Sequence, residues 1–245
     1  MQDAWAPIIA AFFVAGLVKG IAGLGLPSVS VGILTLVIGL KPALALLLVP
    51  SFVTNLWQAV TGGAFVMIVR RTWPMLLTIC SGTWAGVALL ARLDPRPLSI
   101  VLGMTLMGYA AMGFLRPELP HPGRHETWLS LVIGIAHGVV AGMTGSYVPA
   151  LPFLQALGWN RDVFVQAMGV VFTISTIALA VSMADQRLVS AELALGSAGA
   201  TLPALAGMWV GQRIRHRMSE AMFKQVLFGA LLALGAYIAG RATFG

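Results

Sequence analysis

Long apolar stretches separated by short polar connectors make up almost the whole chain. A helix needs about 20 apolar residues to cross roughly 30 Å of bilayer hydrocarbon. Three segments in the pattern are shorter than that: Leu26–Leu40, Trp128–Ala141 and Tyr147–Gly158. Seven others meet the length within a few residues: Ala4–Ala22, Pro42–Thr61, Pro74–Ala91, Leu98–Leu115, Val163–Met183, Leu193–Val210 and Ala221–Ala239. The pattern predicts an all-α integral membrane protein with five apolar segments in each half.

The two halves resemble each other. Gly16-Leu-Val-Lys-Gly20 aligns with Gly134-Ile-Ala-His-Gly138. Further pairs follow in the same order: Gly23 with Gly142, Gly39 with Gly158, Thr54 with Thr173, Gly82 with Gly207, Gly86 with Gly211, and Leu93-Asp-Pro with Met218-Ser-Glu. An ordered set of matches indicates an internal duplication.

An odd number of segments in each half places the halves in the membrane with opposite orientations. The sequence therefore predicts two inverted-topology repeats, residues 1–115 and 128–245, joined by a cytoplasmic linker, residues 116–127. Each repeat is expected to contain a broken helical hairpin followed by three transmembrane helices. The parity is the same whether the hairpin segments cross fully or only dip into the bilayer.

Basic residues in the connectors predict which face is cytoplasmic. One face carries the denser set: Arg70, Arg71, Arg116, Arg124, Arg161, Arg213, Arg215 and Arg217. The other carries Lys41, Arg92, Arg96, Arg187 and Arg241. The first face is therefore expected to be cytoplasmic, with both termini on the opposite side.

Composition excludes several classes of protein. Apolar residues make up 58% of the chain and charged residues only 9%, whereas a soluble domain has about 25% charged residues. The net charge of +7 is spread over connectors and indicates topology rather than nucleic-acid binding. Cys80 is the single cysteine, which excludes an intramolecular disulfide. No metal-ligand spacing or nucleotide-binding loop occurs, so we expect no metal and no cofactor.

The second segment of each half follows a glycine-rich break. The breaks are Gly20-Ile-Ala-Gly-Leu-Gly-Leu-Pro27 and Gly138-Val-Val-Ala-Gly-Met-Thr-Gly-Ser146. Pro27 suits the first turn of a helix and Ser146 suits an N-cap. Helix starts present free N–H groups and partial positive charge, which favour anions, and broken helices at matching positions of inverted repeats point to a transporter's central site. The alternative is that the glycines serve only close helix packing.

Lys19 and His137 are the ionisable residues inside the apolar segments, and they occupy equivalent positions in the repeat. A cation in hydrocarbon costs several kcal/mol and usually faces a cavity with a partner. An anionic substrate is a candidate partner for both. The alternatives are snorkelling of Lys19 to the interface and, for His137, a neutral imidazole bonded to a backbone carbonyl.

Polar side chains form a stripe on the long helix after each short segment. Ser51, Thr54, Asn55 and Gln58 share one face in the first half, and Gln166, Thr173 and Thr176 share one in the second. They could bind anion oxygens or could bond neighbouring helices. Trp57 is a candidate wall of the same site, with packing as its alternative. The predicted substrate-binding set is Lys19, Gly23, Gly25, Ser28, Thr54, Asn55, Gln58, His137, Thr144, Ser146, Gln166 and Thr173.

These duplicated glycine-rich openings, each followed by a short segment, a Gly-Leu or Gly-Trp pair and a polar-striped helix, resemble the TauE/SafE family of sulfite and organosulfonate exporters. The resemblance runs from about Phe12 to Tyr237. In this chain the first loop is reduced to Gly23-Leu-Gly-Leu-Pro27, and the second, Gly142-Met-Thr-Gly-Ser146, contains a threonine and a serine. The resemblance implies a multi-pass protein of the bacterial inner membrane that transports a sulfur-containing oxyanion.

The sequence therefore favours a secondary transporter, and not an enzyme, that exports sulfite, a sulfonate or sulfoacetate by alternating access between the repeats. The termini are then periplasmic. Two alternatives stay open: a membrane enzyme of the lipid-phosphatase type, and a structural membrane subunit. The sequence also leaves open which anion is carried, whether protons or sodium are coupled, and whether the protein is a homodimer.

Overall fold

A computed structural model describes residues 5–115, 120–215 and 220–244. These residues form α-helices and two short 3-10 helices, Gly123–His125 and Val148–Ala150, and the described ranges contain no strand. The α-helices are α1 Trp5–Ala22, α2 Leu26–Ile38, α3 Leu40–Val60, α4 Phe65–Arg92, α5 Pro95–Leu115, α6 Glu126–Thr144, α7 Leu151–Ala156, α8 Arg161–Asp185, α9 Ala191–Arg215 and α10 Glu220–Phe244. Arg116, Arg217 and Met218 of the sequence analysis lie outside the described residues.

Eight of the described helices are long and apolar enough to cross a membrane, which confirms the all-α membrane protein. The exceptions are α2, which is short, and α7, which has six residues. In each half the first arm of the predicted hairpin, α1 or α6, is long enough to cross alone. The inverted orientation of the repeats stays a prediction.

Helix α4 begins well before the predicted segment. The sequence placed its start at Pro74, after the arginine pair, but the helix begins at Phe65 and includes Pro74 in its interior. Arg71 in this added part forms a two-point ion pair with Glu126 at the start of α6, with Nε–Oε1 2.7 Å and Nη2–Oε2 2.8 Å. Apolar length marks the hydrocarbon and not the helix, so the first turns of α4, including the one with Arg70 and Arg71, were missed.

The helices form two compact units that do not coincide with the sequence repeats. The first unit contains α1, α2, α5, α9, α10 and α3 up to Pro50. The second contains α3 from Ser51, together with α4, α6, α7 and α8. Each unit therefore combines helices from both halves of the chain, and the repeat boundaries 1–115 and 128–245 stay a prediction.

Glycines bring α1 and α9 into backbone contact in the first unit. A β-carbon on Gly20 would lie 3.0 Å from Cα of Gly211, and one on Gly211 would lie 3.1 Å from Cα of Gly20. Such distances are too short for any larger side chain. Gly16 and Gly207 make equally close contacts with Ala204 and Phe13. Small residues of this kind let membrane helices gain van der Waals contact along their backbones.

The second unit uses the repeat-equivalent glycines in the same way. A β-carbon on Gly86 of α4 would lie 3.0 Å from Cα of Gly142 of α6, and one on Gly138 would lie 2.9 Å from the carbonyl carbon of Gly82. The close-packing interpretation is therefore correct for these glycines. The first helix of each repeat packs on the fourth helix of the other repeat.

Pro50 interrupts the hydrogen bonding of α3 inside the first unit. Proline has no N–H, so the Leu46 carbonyl loses its partner within the helix. The Ser197 hydroxyl on α9, which is buried, donates to this carbonyl with an Oγ–O distance of 2.9 Å. The Ser197 Oγ atom also accepts a hydrogen bond from the Val49 amide, with an N–Oγ distance of 2.9 Å. The Ser197 side chain thus gives the Leu46 carbonyl the donor that the proline lacks.

We predict that Ser197→Ala lowers the free energy of unfolding by about 1–3 kcal/mol, because two buried backbone groups lose their partner. Pro50→Ala restores an N–H for Leu46, so the cost of Ser197→Ala should fall by about 1 kcal/mol or more in that background. Unfolding in mixed detergent micelles measures both values. Ser81→Ala, at an exposed serine of α4, serves as the control and should change stability by less than about 0.5 kcal/mol. Equal costs in the two backgrounds would refute the bridging role.

Candidate functional site

The first predicted break separates α1 from α2 within the first unit. Gly23 and Gly25 have φ angles of 80° and 103°, a left-handed conformation that glycine adopts without strain. The Gly23 amide closes the end of α1 on the Lys19 carbonyl at 2.7 Å. Gly25 is the N-cap of α2, and Pro27 lies in the first turn as predicted. Ser28 follows in the same turn and is buried.

Lys19 lies in the last turn of α1, directly before this break. Its side chain is only 4% exposed. Snorkelling would bring the ammonium group to the surface of the protein, so that alternative is excluded. A buried lysine directly before a break between helices is the arrangement that the sequence predicted for the first repeat.

The second break separates α6 from α7 within the second unit. α6 ends at Thr144. Gly145, with φ 66°, closes the helix, because its amide donates a hydrogen bond of 2.7 Å to the Ala141 carbonyl. The Thr144 hydroxyl donates to the Val140 carbonyl at 2.7 Å and accepts from the Ser146 amide at 3.2 Å. The break and its buried threonine and serine therefore lie where the sequence placed them.

The prediction that Ser146 caps the following helix is wrong. A 3-10 helix begins at Val148, with Tyr147 in the N-cap position and no side-chain cap bond, and α7 starts only at Leu151. Pro149 and Pro152 lie in the first turns of these helices. Because proline has no N–H, these turns have fewer free amides for a serine cap to satisfy.

A network of hydroxyl groups joins this break to α8 and α3. The Tyr147 hydroxyl lies 3.0 Å from Thr176 Oγ1 on α8. Thr176 Oγ1 lies 3.1 Å from Ser51 Oγ on α3, and the Asn55 amide donates to Ser51 Oγ at 3.0 Å. Thr176 donates its own proton to the Phe172 carbonyl at 2.7 Å, so it accepts from both Tyr147 and Ser51. All four side chains are buried.

His137 on α6 lies beside this network and is 0% exposed. Its Nε2 lies 2.9 Å from Ser175 Oγ on α8, so the predicted alternative of a bond to a backbone carbonyl is wrong. The ring is parallel to Phe172 at 6.5 Å between centroids and tilted against Tyr147 at 6.0 Å. Its Nδ1 has no hydrogen-bond partner among the described residues.

The remaining predicted polar residues of the second unit bond to helices. Gln58 donates to the Val165 carbonyl at 2.6 Å, and Gln166 donates to the Ala59 carbonyl at 2.8 Å. These bonds tie the end of α3 to the start of α8, the interhelical use that the sequence left open. Thr54 and Thr173, the repeat pair, donate to carbonyls of their own helices. Trp57 is 64% exposed and lies on the surface of the described protein.

Two members of the site escaped the sequence analysis. Tyr147 was noted only as a segment boundary, and Ser175 was not noted at all. A signal existed for Tyr147, because it is a polar aromatic residue directly after a break in an apolar segment. Ser175 gave no signal, since only the packing of α8 on α6 brings it to His137.

The described residues contain no group of three or more histidine, cysteine, aspartate or glutamate side chains close enough to hold a metal ion. The groups on which ligand binding could depend are the buried Lys19, the buried His137 and the hydroxyl network. Neutral hydroxyls and amides orient a ligand, whereas the two basic groups favour one with negative charge.

This arrangement of apolar helices around buried polar groups defines a multi-pass membrane protein. The chain belongs to the sulfite exporter TauE/SafE family, a family of transporters, whose sequence profile matches residues 8–238. The match confirms the resemblance drawn from the duplicated glycine motifs. No curated protein and no solved structure matches the chain.

We predict that Thr176→Val destabilises the protein by about 1–3 kcal/mol, because Tyr147 and Ser51 lose their shared acceptor while buried. Thr72→Val is the matched control. Thr72 is buried and donates to the carbonyl four residues earlier at 2.8 Å, as Thr176 does, but no side chain donates to it among the described contacts. Thermal unfolding in detergent should separate the two variants by several degrees. An equal loss of stability in both variants would show that the hydroxyl network adds nothing to the stability of the protein.

Proposed function

We propose that the protein is a secondary transporter that exports a small sulfur-containing anion, namely sulfite, a sulfonate or sulfoacetate. Membership of the sulfite exporter family supports this proposal. The observation that carries the site assignment is the burial of two basic side chains, Lys19 and His137, in candidate membrane spans at equivalent positions of the repeat.

Charge balance is the physical argument. A buried cation costs several kcal/mol unless an opposite charge compensates for it. The acidic residues of the described ranges lie in connectors or near helix ends, at Asp94, Glu126, Asp162, Asp185, Glu192 and Glu220. A substrate anion would bring negative charge to the buried basic side chains. Backbone amides at the two breaks and the hydroxyl and amide groups of Ser28, Thr54, Asn55, Thr144, Ser146 and Thr173 would bind its oxygens.

We propose alternating access as the mechanism. The close contacts of α1 with α9 and of α4 with α6 each join helices of opposite repeats. Movement of residues 1–115 as one body against 128–245 would break both contacts. Alternating access therefore proceeds by changes at the breaks and at α3, where Pro50 weakens the helix, while those two contacts persist.

An anion that moves alone needs no energy source for export besides the membrane potential. An inside-negative potential assists outward movement of an anion by about 2.3 kcal/mol per charge per 100 mV. The proposal places the protein in the bacterial inner membrane with both termini periplasmic, and leaves open whether it forms a homodimer.

We predict that the double variant Lys19→Gln with His137→Gln lowers sulfite efflux from proteoliposomes by about 10–100-fold, the equivalent of one lost charge-assisted bond of about 1.5–3 kcal/mol. Lys41→Gln is the control, because Lys41 lies in the first turn of α3 and should leave efflux within about twofold. Unchanged efflux in the double variant would reject the site assignment. Absence of sulfite and sulfonate flux in the wild-type protein would reject the transport function.

A further inference from the structure

The orientation of His137 leaves one nitrogen atom available. Ser175 Oγ lies 2.8 Å from the Val171 carbonyl, and a carbonyl only accepts, so the single hydroxyl proton of Ser175 is used there. With that bond formed, Ser175 accepts the bond at 2.9 Å from His137 Nε2. In this arrangement His137 carries a hydrogen on Nε2 and gains or loses a proton at Nδ1.

Nδ1 is buried and has no partner among the described residues. Buried polar atoms are satisfied in the great majority of native structures, and an exception calls for an explanation. A neutral imidazole presents a lone pair at Nδ1, which repels an anion. A protonated imidazole presents an N–H, which binds one. The same atom thus binds an anion only when it also holds a proton.

The groups around His137 do not stabilise an imidazolium by themselves. Phe172 and Ser175 of α8 and Tyr147 of the break contact the ring, and Tyr147 is the titratable group among them. The backbones of Ile79 and Thr83 on α4 pack against Gly138, the next residue of α6. Cys80 of α4 is exposed. The charged residues of these helices lie toward the helix ends, at Arg70, Arg71, Arg92, Glu126, Arg161, Asp162 and Asp185. Glu126 is paired with Arg71.

We propose that His137 binds one proton at Nδ1 together with each substrate anion, so that the two are carried together. This inference rests on the proposed transport function and adds its coupling ion. A proton from water forms the N–H bond when the anion enters, and the bond breaks when the anion leaves, with no other reactant. A monovalent sulfonate then crosses without net charge, so its own concentration gradient drives export, and not the membrane potential that assists an anion moving alone.

Purified protein in weakly buffered detergent solution tests the inference with methanesulfonate, whose charge is constant between about pH 5 and 8, and with sulfite. We expect uptake of about one proton per methanesulfonate bound at neutral pH. The methanesulfonate Kd should rise about tenfold per pH unit where the ring loses its proton, as linkage requires. The His137→Gln variant keeps a hydrogen-bond donor for Ser175. It should take up no proton, and its methanesulfonate Kd should stay constant within about twofold over the same pH range. His125→Gln, at an exposed histidine, should behave as the wild type.

A second measurement needs no variant. In protein labelled with ¹⁵N-histidine, one of the four histidines should be the Nε2–H tautomer without anion and doubly protonated with methanesulfonate. Binding of methanesulfonate or sulfite without proton uptake, or with His137 still neutral, overturns the inference and leaves the transporter intact. Failure to bind either anion overturns the proposed function and this inference together.

Discussion

Hydrocarbon offers no partner for a polar group, so each backbone N–H and C=O inside the membrane must find one within the protein. The structure meets this constraint at several places where its helices depart from regular geometry. Ser197 bonds the groups that Pro50 leaves open. The amides of Gly23 and Gly145 close α1 and α6 on their own last turns. At these places nearby groups satisfy bonds that the irregular backbone would otherwise leave open.

Two kinds of glycine coexist in the duplicated motif, and they solve different problems. Gly16 and Gly20 remain helical and bring α1 against α9, as Gly138 and Gly142 bring α6 against α4. Gly23, Gly25 and Gly145 instead adopt positive φ and end or begin helices. One short stretch of sequence therefore fixes a rigid contact and an irregular turn side by side. Rigid contacts between helices of opposite repeats hold the break in position, which a binding site requires.

Local pattern was sufficient for much of the fold and for part of the site. Apolar length predicted the spans, and the glycine runs located both breaks and the buried Lys19 and His137. Features that depend on distant partners were not predictable. The bond of His137 to Ser175 and the bond of Leu46 to Ser197 arise from helix packing that no local pattern encodes. The start of α4 was missed because Arg70 and Arg71 end the apolar pattern without ending the helix, and Ser146 was misassigned because Pro149 and Pro152 change how the next helix begins.

The central claim is that a sulfur oxyanion binds at the open nitrogen of His137. A crystal structure of the protein with selenite, the heavier congener of sulfite, tests it directly through the anomalous signal of selenium. The account predicts a selenium peak beside His137, with an oxygen within about 3 Å of Nδ1. Selenium peaks confined to exposed arginines, or a protein atom bonded to Nδ1, would contradict it.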